Sequence, residues 1–313
     1  RDRTGAQDRS WSLLFPRRAR RSGGEFVKSL GHAFGIGLLA LGFAYGVEPR
    51  AETMLRAVDS TGAELSLEKP PQRIAALAPH VVEMLYALGL GDRIVATVAF
   101  ADYPPAAAAI PSIGDAFNLS QEALWAAEPD LIVLWGDAAS PSLRQSLARR
   151  APVFVSAPRG LEGVSEELRQ LAALAPERAA APLAALEADW AKPLAPRAAS
   201  EPRVLPLVSL SPPTALGPEH FFTQLLSNCG ARHALPDLPG IAPALSREVL
   251  FAEARGASPP LVVLMSVEPE ASLETLPSGL PVLRLNPDLG TRPGPRLFEG
   301  QRQLCQLLQE AQR

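Results

Sequence analysis

Apolar positions along this chain follow two rhythms. Short unbroken runs, RIAAL (73–77), RIVATV (93–98), LIVLW (131–135) and PVFVS (152–156), recur later as RVLPLVSL (203–210), LVVLMS (261–266) and PVLRLN (281–286). Runs of this length, bounded by turn residues, predict strands buried on both faces. Between them the spacing lengthens. Val81, Met84, Leu85 and Leu88 share one face of a predicted helix that stops at Gly89 or Gly91. SLRQSLARR (142–150) and FFTQLLSNCG (221–230) read as further helices, and Leu304, Leu307 and Leu308 are in phase on a last one over 297–311. Ahead of the first run, VDSTG (58–62) turns and AELSLE (63–68) alternates, which predicts a short hairpin. Alternating strands and helices predict α/β architecture with parallel sheets.

The pattern is written twice. LSQEALWA (119–126) leads into PDLIVL (129–134), and LSREVLFA (245–252) leads into PPLVVL (259–264). Ser120 and Ser246 suit the helix N-cap, and Glu122 and Glu248 then sit in the first turn beside the positive end of the helix dipole. One such unit is generic α/β grammar. Two, 126 residues apart, predict two similar Rossmann-like lobes with a matched acidic mark on each. Residues 161–198 are rich in Ala, Leu and Glu and predict one long helix crossing between the lobes, kinked at Pro182 and ended by Pro193 and Pro196.

Length and charge refine this. A chain of 313 residues suggests two domains. Residues 1–50 carry nine Arg/Lys against four Asp/Glu, whereas the remainder carries 21 against 29. The acidic body argues against a nucleic-acid surface. The basic start, RRARR (17–21) and Lys28 before FGIGLLALGFAYG (34–46), has the pattern of an export signal with an upstream extension, its apolar core being short for a membrane span. The expected division is a signal over 1–46, a first lobe over 47–160, the connecting helix over 161–200 and a second lobe over 201–313. In an exported protein Cys229 and Cys305 read as a disulfide; the alternative is two buried thiols.

No GxSxG elbow, Walker loop, GxGxxG or HExxH is present, and the four His residues are scattered. This favours binding over catalysis; a chelatase-like enzyme on the same architecture would need a metal or acid–base cluster. Aromatic and charged residues in loops at strand ends, Phe100, Trp135 and the Asp288, Arg292, Arg296 group, are where open α/β folds place a ligand crevice.

RIAALAPHVVEML, FADYPP, LSQEALWAAEPDLIVLW, ALSREVLFAEA and the NCG…QLC pair occur in an order and spacing that resemble the periplasmic substrate-binding proteins of ABC importers for metal chelates, cobalamin binders in particular, over about residues 55–313. The resemblance implies the class III fold, two α/β lobes on one rigid backbone helix, and a monomer without a resident cofactor. It implies a cobalamin ligand, with haem or a ferric siderophore as alternatives. Glu122 and Glu248 match glutamates that pair with the transmembrane permease, and Cys229 and Cys305 a disulfide position. Phe100 and Trp135 match aromatics flanking the corrin ring, and Asp288 and Arg292 contacts to its amide-rich edge, with Arg296 nearby. There are departures. Ala116, Ala242 and Thr214 stand where large aromatics are expected, with Phe117 a replacement for the first. His80 occupies the cleft loop and is a candidate axial metal ligand, a solvent-facing helix start being the alternative.

Overall fold

The computed structural model describes residues 54–115, 118–194 and 200–313. The expected export signal, Ala116 and Phe117 lie outside the described residues. The described chain opens on an antiparallel hairpin, β1 (Leu55–Val58) and β2 (Glu64–Leu67). Asp59 closes its turn: Oδ1 accepts the backbone N–H groups of Thr61 and Ala63, and Gly62 at φ +83 supplies the left-handed residue.

Next come β3 (Ile74–Leu77), α1 (Pro79–Ala87), β4 (Ile94–Thr97), α2 (Gln121–Ala126), β5 (Leu131–Trp135), α3 (Pro141–Ala148) and β6 (Val153–Ser156). The four strands after the hairpin form a parallel sheet in the order β4-β3-β5-β6. Successive residues feed opposite faces. Ile74, Ala76, Leu131 and Val133 join one core cluster, and Ala75, Leu77, Ile132 and Leu134 another. Both faces being covered is why these strands read as unbroken apolar runs.

The connection differs from the single helix expected over 161–200. It is two helices, α4 (Gly160–Ala173) and α5 (Pro176–Trp190). The break falls at Pro176, which lacks an N–H and forces Ala175 out of helical geometry, to φ −147 and ψ 56. Pro182, the expected kink, is carried inside α5.

The second sheet contains β7 (Arg203–Leu210), β8 (Pro213–Ala215), β9 (Arg232–His233), β10 (Leu261–Leu264) and β11 (Val282–Arg284). Its order is β11-β10-β7-β8, with β9 also paired to β7; only β8 runs antiparallel. Its helices are α6 (Phe222–Asn228), α7 (Arg247–Arg255), α8 (Pro287–Thr291) and α9 (Leu297–Glu310). The segment 287–296, read from sequence as a loop, thus begins as a helical turn, capped by Asn286 Oδ1 accepting from Asp288 N–H. Cys229 after α6 and Cys305 on α9 form a disulfide.

Both sheets belong to one compact unit, Ala51–Arg313. One core cluster runs through it: Ile74, Leu85 and Leu168 pack in the same cluster as Val204, Phe222 and Leu304. A core shared by both halves resists independent lobe motion. Among the described residues no helix is long and apolar enough to cross a membrane.

Candidate functional site

In the first sheet the chain reverses direction of travel between β3 and β5, and such switch points open a crevice at the strands' carboxyl ends. A cavity of about 330 Å³ lies next to this point, at the carboxyl ends of β5 and β6. Trp135, Asp137, Ala157, Pro158 and Arg159 line it from the ends of β5 and β6, and Glu219, His220, Phe221, Ile241, Thr291 and Pro293 from the second half. Its walls are largely apolar, as in small-molecule sites generally. Arg159 donates both guanidinium arms to Asp137, at 2.9 and 2.7 Å. His220 is partly buried; Nδ1 accepts Phe222 N–H at 3.1 Å, and its ring lies 4.1 Å from that of Phe221. Burial, reinforced by Arg159, lowers its pKa to about 4, so at neutral pH this histidine is uncharged.

Beneath the cavity is a buried hydrogen-bond chain. His80 stands edge-on to Trp135, with ring centroids 6.1 Å apart. Its Nε2 shares a 2.8 Å hydrogen bond with Ser156 Oγ, and Ser156 donates in turn to Glu167 on α4. Ser60 from the hairpin turn donates to the same carboxylate at 2.8 Å. Burial lowers the His80 pKa to about 4 and, despite the two hydroxyl donors, raises that of Glu167 to about 7. His80 begins a helix, as one expectation had it, but at 3% exposure it does not face solvent, and its Nε2 is hydrogen-bonded inside the protein.

The Asp288, Arg292, Arg296 group is also engaged. Glu83 of α1, 2% exposed at its side chain, receives Arg296 in a two-pronged pair at 2.9 and 2.6 Å and Arg292 at 3.3 Å. Arg292 further pairs with Asp102 at 3.1 Å and Asp288 at 3.0 Å, and the Arg296 guanidinium lies 3.8 Å over the Tyr103 ring. A Cβ at Gly294 would come within 3.3 Å of Glu83 Oε2, so glycine lets this loop sit directly on α1. The network joins the two halves. Beside it a second cavity of about 360 Å³ includes Tyr86, Tyr103, Trp190, Arg296, Glu299 and Arg302. Slightly larger, it lies away from the strand ends, among helices.

Of the other expected residues that the structure describes, Trp135 alone lines the cleft. Phe100 is 77% exposed and holds a left-handed φ of +66, a strained conformation for a non-glycine residue. Thr214 lies on β8 and donates to Pro212 carbonyl. Ile241, adjacent to Ala242, supplies apolar surface. Sequence reading passed over Glu83, Asp137, Arg159 and His220. Three of them sit in strand-end loops, the usual signal; Glu83 is the one carboxylate inside the apolar VVEMLYAL stretch. Glu122 and Glu248 both sit exposed in the first turns of helices whose N-caps, Ser120 and Ser246, accept Ala123 and Val249 N–H. The Glu248 carboxyl is held below the usual range by its own backbone N–H and the Ser246 hydroxyl.

The family model described as "Periplasmic binding protein" matches residues 74–276. The vitamin B12-binding protein of Pectobacterium carotovorum is 29% identical over 247 residues, spanning 76% of this chain and 88% of that protein. In fold, the chain is similar to the periplasmic vitamin B12 binding protein BtuF of Vibrio cholerae, with TM-score 0.63 and 24% identity over 78% of this chain and 99% of that one. It is similar also to the periplasmic heme-binding protein RhuT from Roseiflexus sp. RS-1, with TM-score 0.62 and 22% identity over 77% and 99%.

Glu167 makes a pH-dependent prediction. The unfolded chain releases this proton near pH 4.5, the folded protein near 7. The carboxyl therefore subtracts stability as pH rises through that window and no more above it. Glu167→Gln, which does not titrate, should gain on the wild type by up to roughly 3 kcal/mol between pH 4.5 and 7.5. His220 lies outside the hydrogen-bond chain of Glu167 and drops out of the difference, and His80, which Ser156 links to Glu167, titrates at about pH 4, below this window. Urea melts across that range check this; a pH-independent difference contradicts it.

Proposed function

We propose that this chain, which belongs to the periplasmic binding protein family, is the receptor of an ABC importer and carries a corrinoid of the cobalamin class in the cleft at Trp135. The two halves, residues 47–160 and 201–313, contribute one wall each, with α4 and α5 as the connection. An N-terminal signal over residues 1–46 would export the chain to the periplasm. The protein acts by binding and delivery, without chemistry of its own.

The charge of the cleft carries the ligand assignment. Two carboxylates, Asp137 and Glu219, face one guanidinium, Arg159, and the histidine beside them is neutral. Such a surface repels the propionates of haem and the acidic groups of many siderophores, and suits a ligand whose polar edge is uncharged amide. Metal ligation from the protein is disfavoured too. His80 is buried, His220 has Nδ1 committed to Phe222, and Tyr103 lies under Arg296 in the other cavity. Trp135, Phe221, Pro158 and Ile241 supply apolar surface for a macrocycle face.

Titration calorimetry of residues 47–313 with cyanocobalamin and, separately, haemin tests this. One-to-one binding of cyanocobalamin, weakened at least about tenfold by Trp135→Ala, is expected. Haemin binding without cyanocobalamin binding contradicts the corrinoid assignment while leaving the receptor role standing.

Glu122 and Glu248 are the proposed permease contacts. Each is an exposed carboxylate fixed at the start of a capped helix, one per half, suited to a basic residue on a membrane partner. The double variant Glu122→Ala, Glu248→Ala should keep ligand affinity and lose stimulation of transport in vesicles reconstituted with the cognate permease. Normal transport by the double variant contradicts the docking role.

A further inference from the structure

We infer that His220 sets ligand specificity in the cleft by presenting its Nε2–H as a hydrogen-bond donor to an uncharged carbonyl, of the primary-amide kind, on the bound molecule. This rests on the receptor reading above and names the group that distinguishes an amide edge from a carboxylate edge.

The argument is one of tautomers. His220 is fixed at both backbone ends: its N–H donates to Gly217 carbonyl at 3.0 Å, and its carbonyl accepts Thr223 N–H at 3.0 Å. The ring is fixed as well. Nδ1 accepts Phe222 N–H and therefore carries no proton. A neutral imidazole holds one proton, so it resides on Nε2, which can only donate. Among the described residues Nε2 has no hydrogen-bond acceptor, and no buried side-chain nitrogen or oxygen lacks a partner. This atom is consequently not sealed inside the protein, and His220 is one of the residues that line the cavity.

The surroundings determine which acceptor fits. Burial, helped by Arg159, keeps the ring neutral down to about pH 4. Arg159 is itself paired with Asp137 through both arms, at 2.9 and 2.7 Å, and Glu219 lines the same cavity. An anionic acceptor would meet a neutral donor in a cavity whose one guanidinium is already paired and whose lining carries two carboxylates. A carbonyl meets the same donor without that repulsion. The bare Nδ1 also excludes direct metal ligation through Nε2 unless the bond to Phe222 breaks and the proton moves.

Three substitutions separate the donor from the ring's other duties. In His220→Asn the amide oxygen can accept Phe222 N–H while the NH2 donates. In His220→Asp the carboxylate still accepts that N–H but offers no donor. His220→Leu removes both. Calorimetry with cyanocobalamin should show the Asn protein within about threefold of wild type, and the Asp and Leu proteins roughly 10–100-fold weaker. Urea melts should show Asp and Asn equally stable, which a merely structural role would not reconcile with unequal affinity. In the ¹H–¹⁵N spectrum the His220 Nε2–H signal should shift on addition of cyanocobalamin. Wild-type affinity in the Asp protein, or equal losses in all three, overturns the donor role. Absence of wild-type binding to cyanocobalamin overturns the corrinoid reading, and the donor assignment falls with it.

Discussion

The Glu83 carboxylate is buried, and two guanidiniums reach it from the far end of the chain, 209 and 213 residues away. An ionised carboxylate without partners in such a place costs several kcal/mol. Arg292 and Arg296 are thereby specified to one position, and with them the loop that carries Thr291 and Pro293 to the cleft. Buried ion pairs add little net stability against a hydrophobic replacement, but they fix geometry. Here the geometry fixed is the placement of one half on the other. Asp102, Asp288 and Tyr103 extend the network across the same seam, and the common core does so beneath it.

The same interaction separates structure from recognition. Two arginines of the kind that bind anionic ligands are paired by the protein itself. The cleft that remains is apolar, slightly acidic and equipped with a neutral histidine. Below it, the chain from His80 through Ser156 to Glu167 ties α1, β6, α4 and the hairpin together. The floor of the site is thus as constrained as its rim, and selectivity falls to the few polar groups that still face the opening.

Much of this was legible in the residues. Unbroken apolar runs gave the parallel strands, because covering both faces of a sheet leaves no polar positions to alternate. The repeated Ser-x-Glu units gave α2 and α7, because capping is local chemistry. The connection was misread where proline signals compete: Pro176 breaks the helix at its preceding residue, whereas Pro182 is absorbed inside α5. The roles of His80, Arg292 and Arg296 were not legible. Each is decided by a partner at least 76 residues distant, Ser156 for the first and Glu83 for the others, and no local pattern records such a pairing. His220 escaped notice because a lone loop histidine carries no motif; its tautomer is set by a backbone N–H two residues on.

The most direct test of this account is the distance between spin labels at Gln145 on α3 and Asp237 in the second half, both exposed, measured by double electron–electron resonance with and without saturating cyanocobalamin. If the Glu83 clamp and the common core hold the cleft in its binding geometry, the wild-type distribution is narrow and moves by less than about 2 Å on binding. Glu83→Gln then broadens it in the unliganded protein. A wild-type distribution that is broad without ligand and closes by many ångströms with it would contradict a preformed cleft.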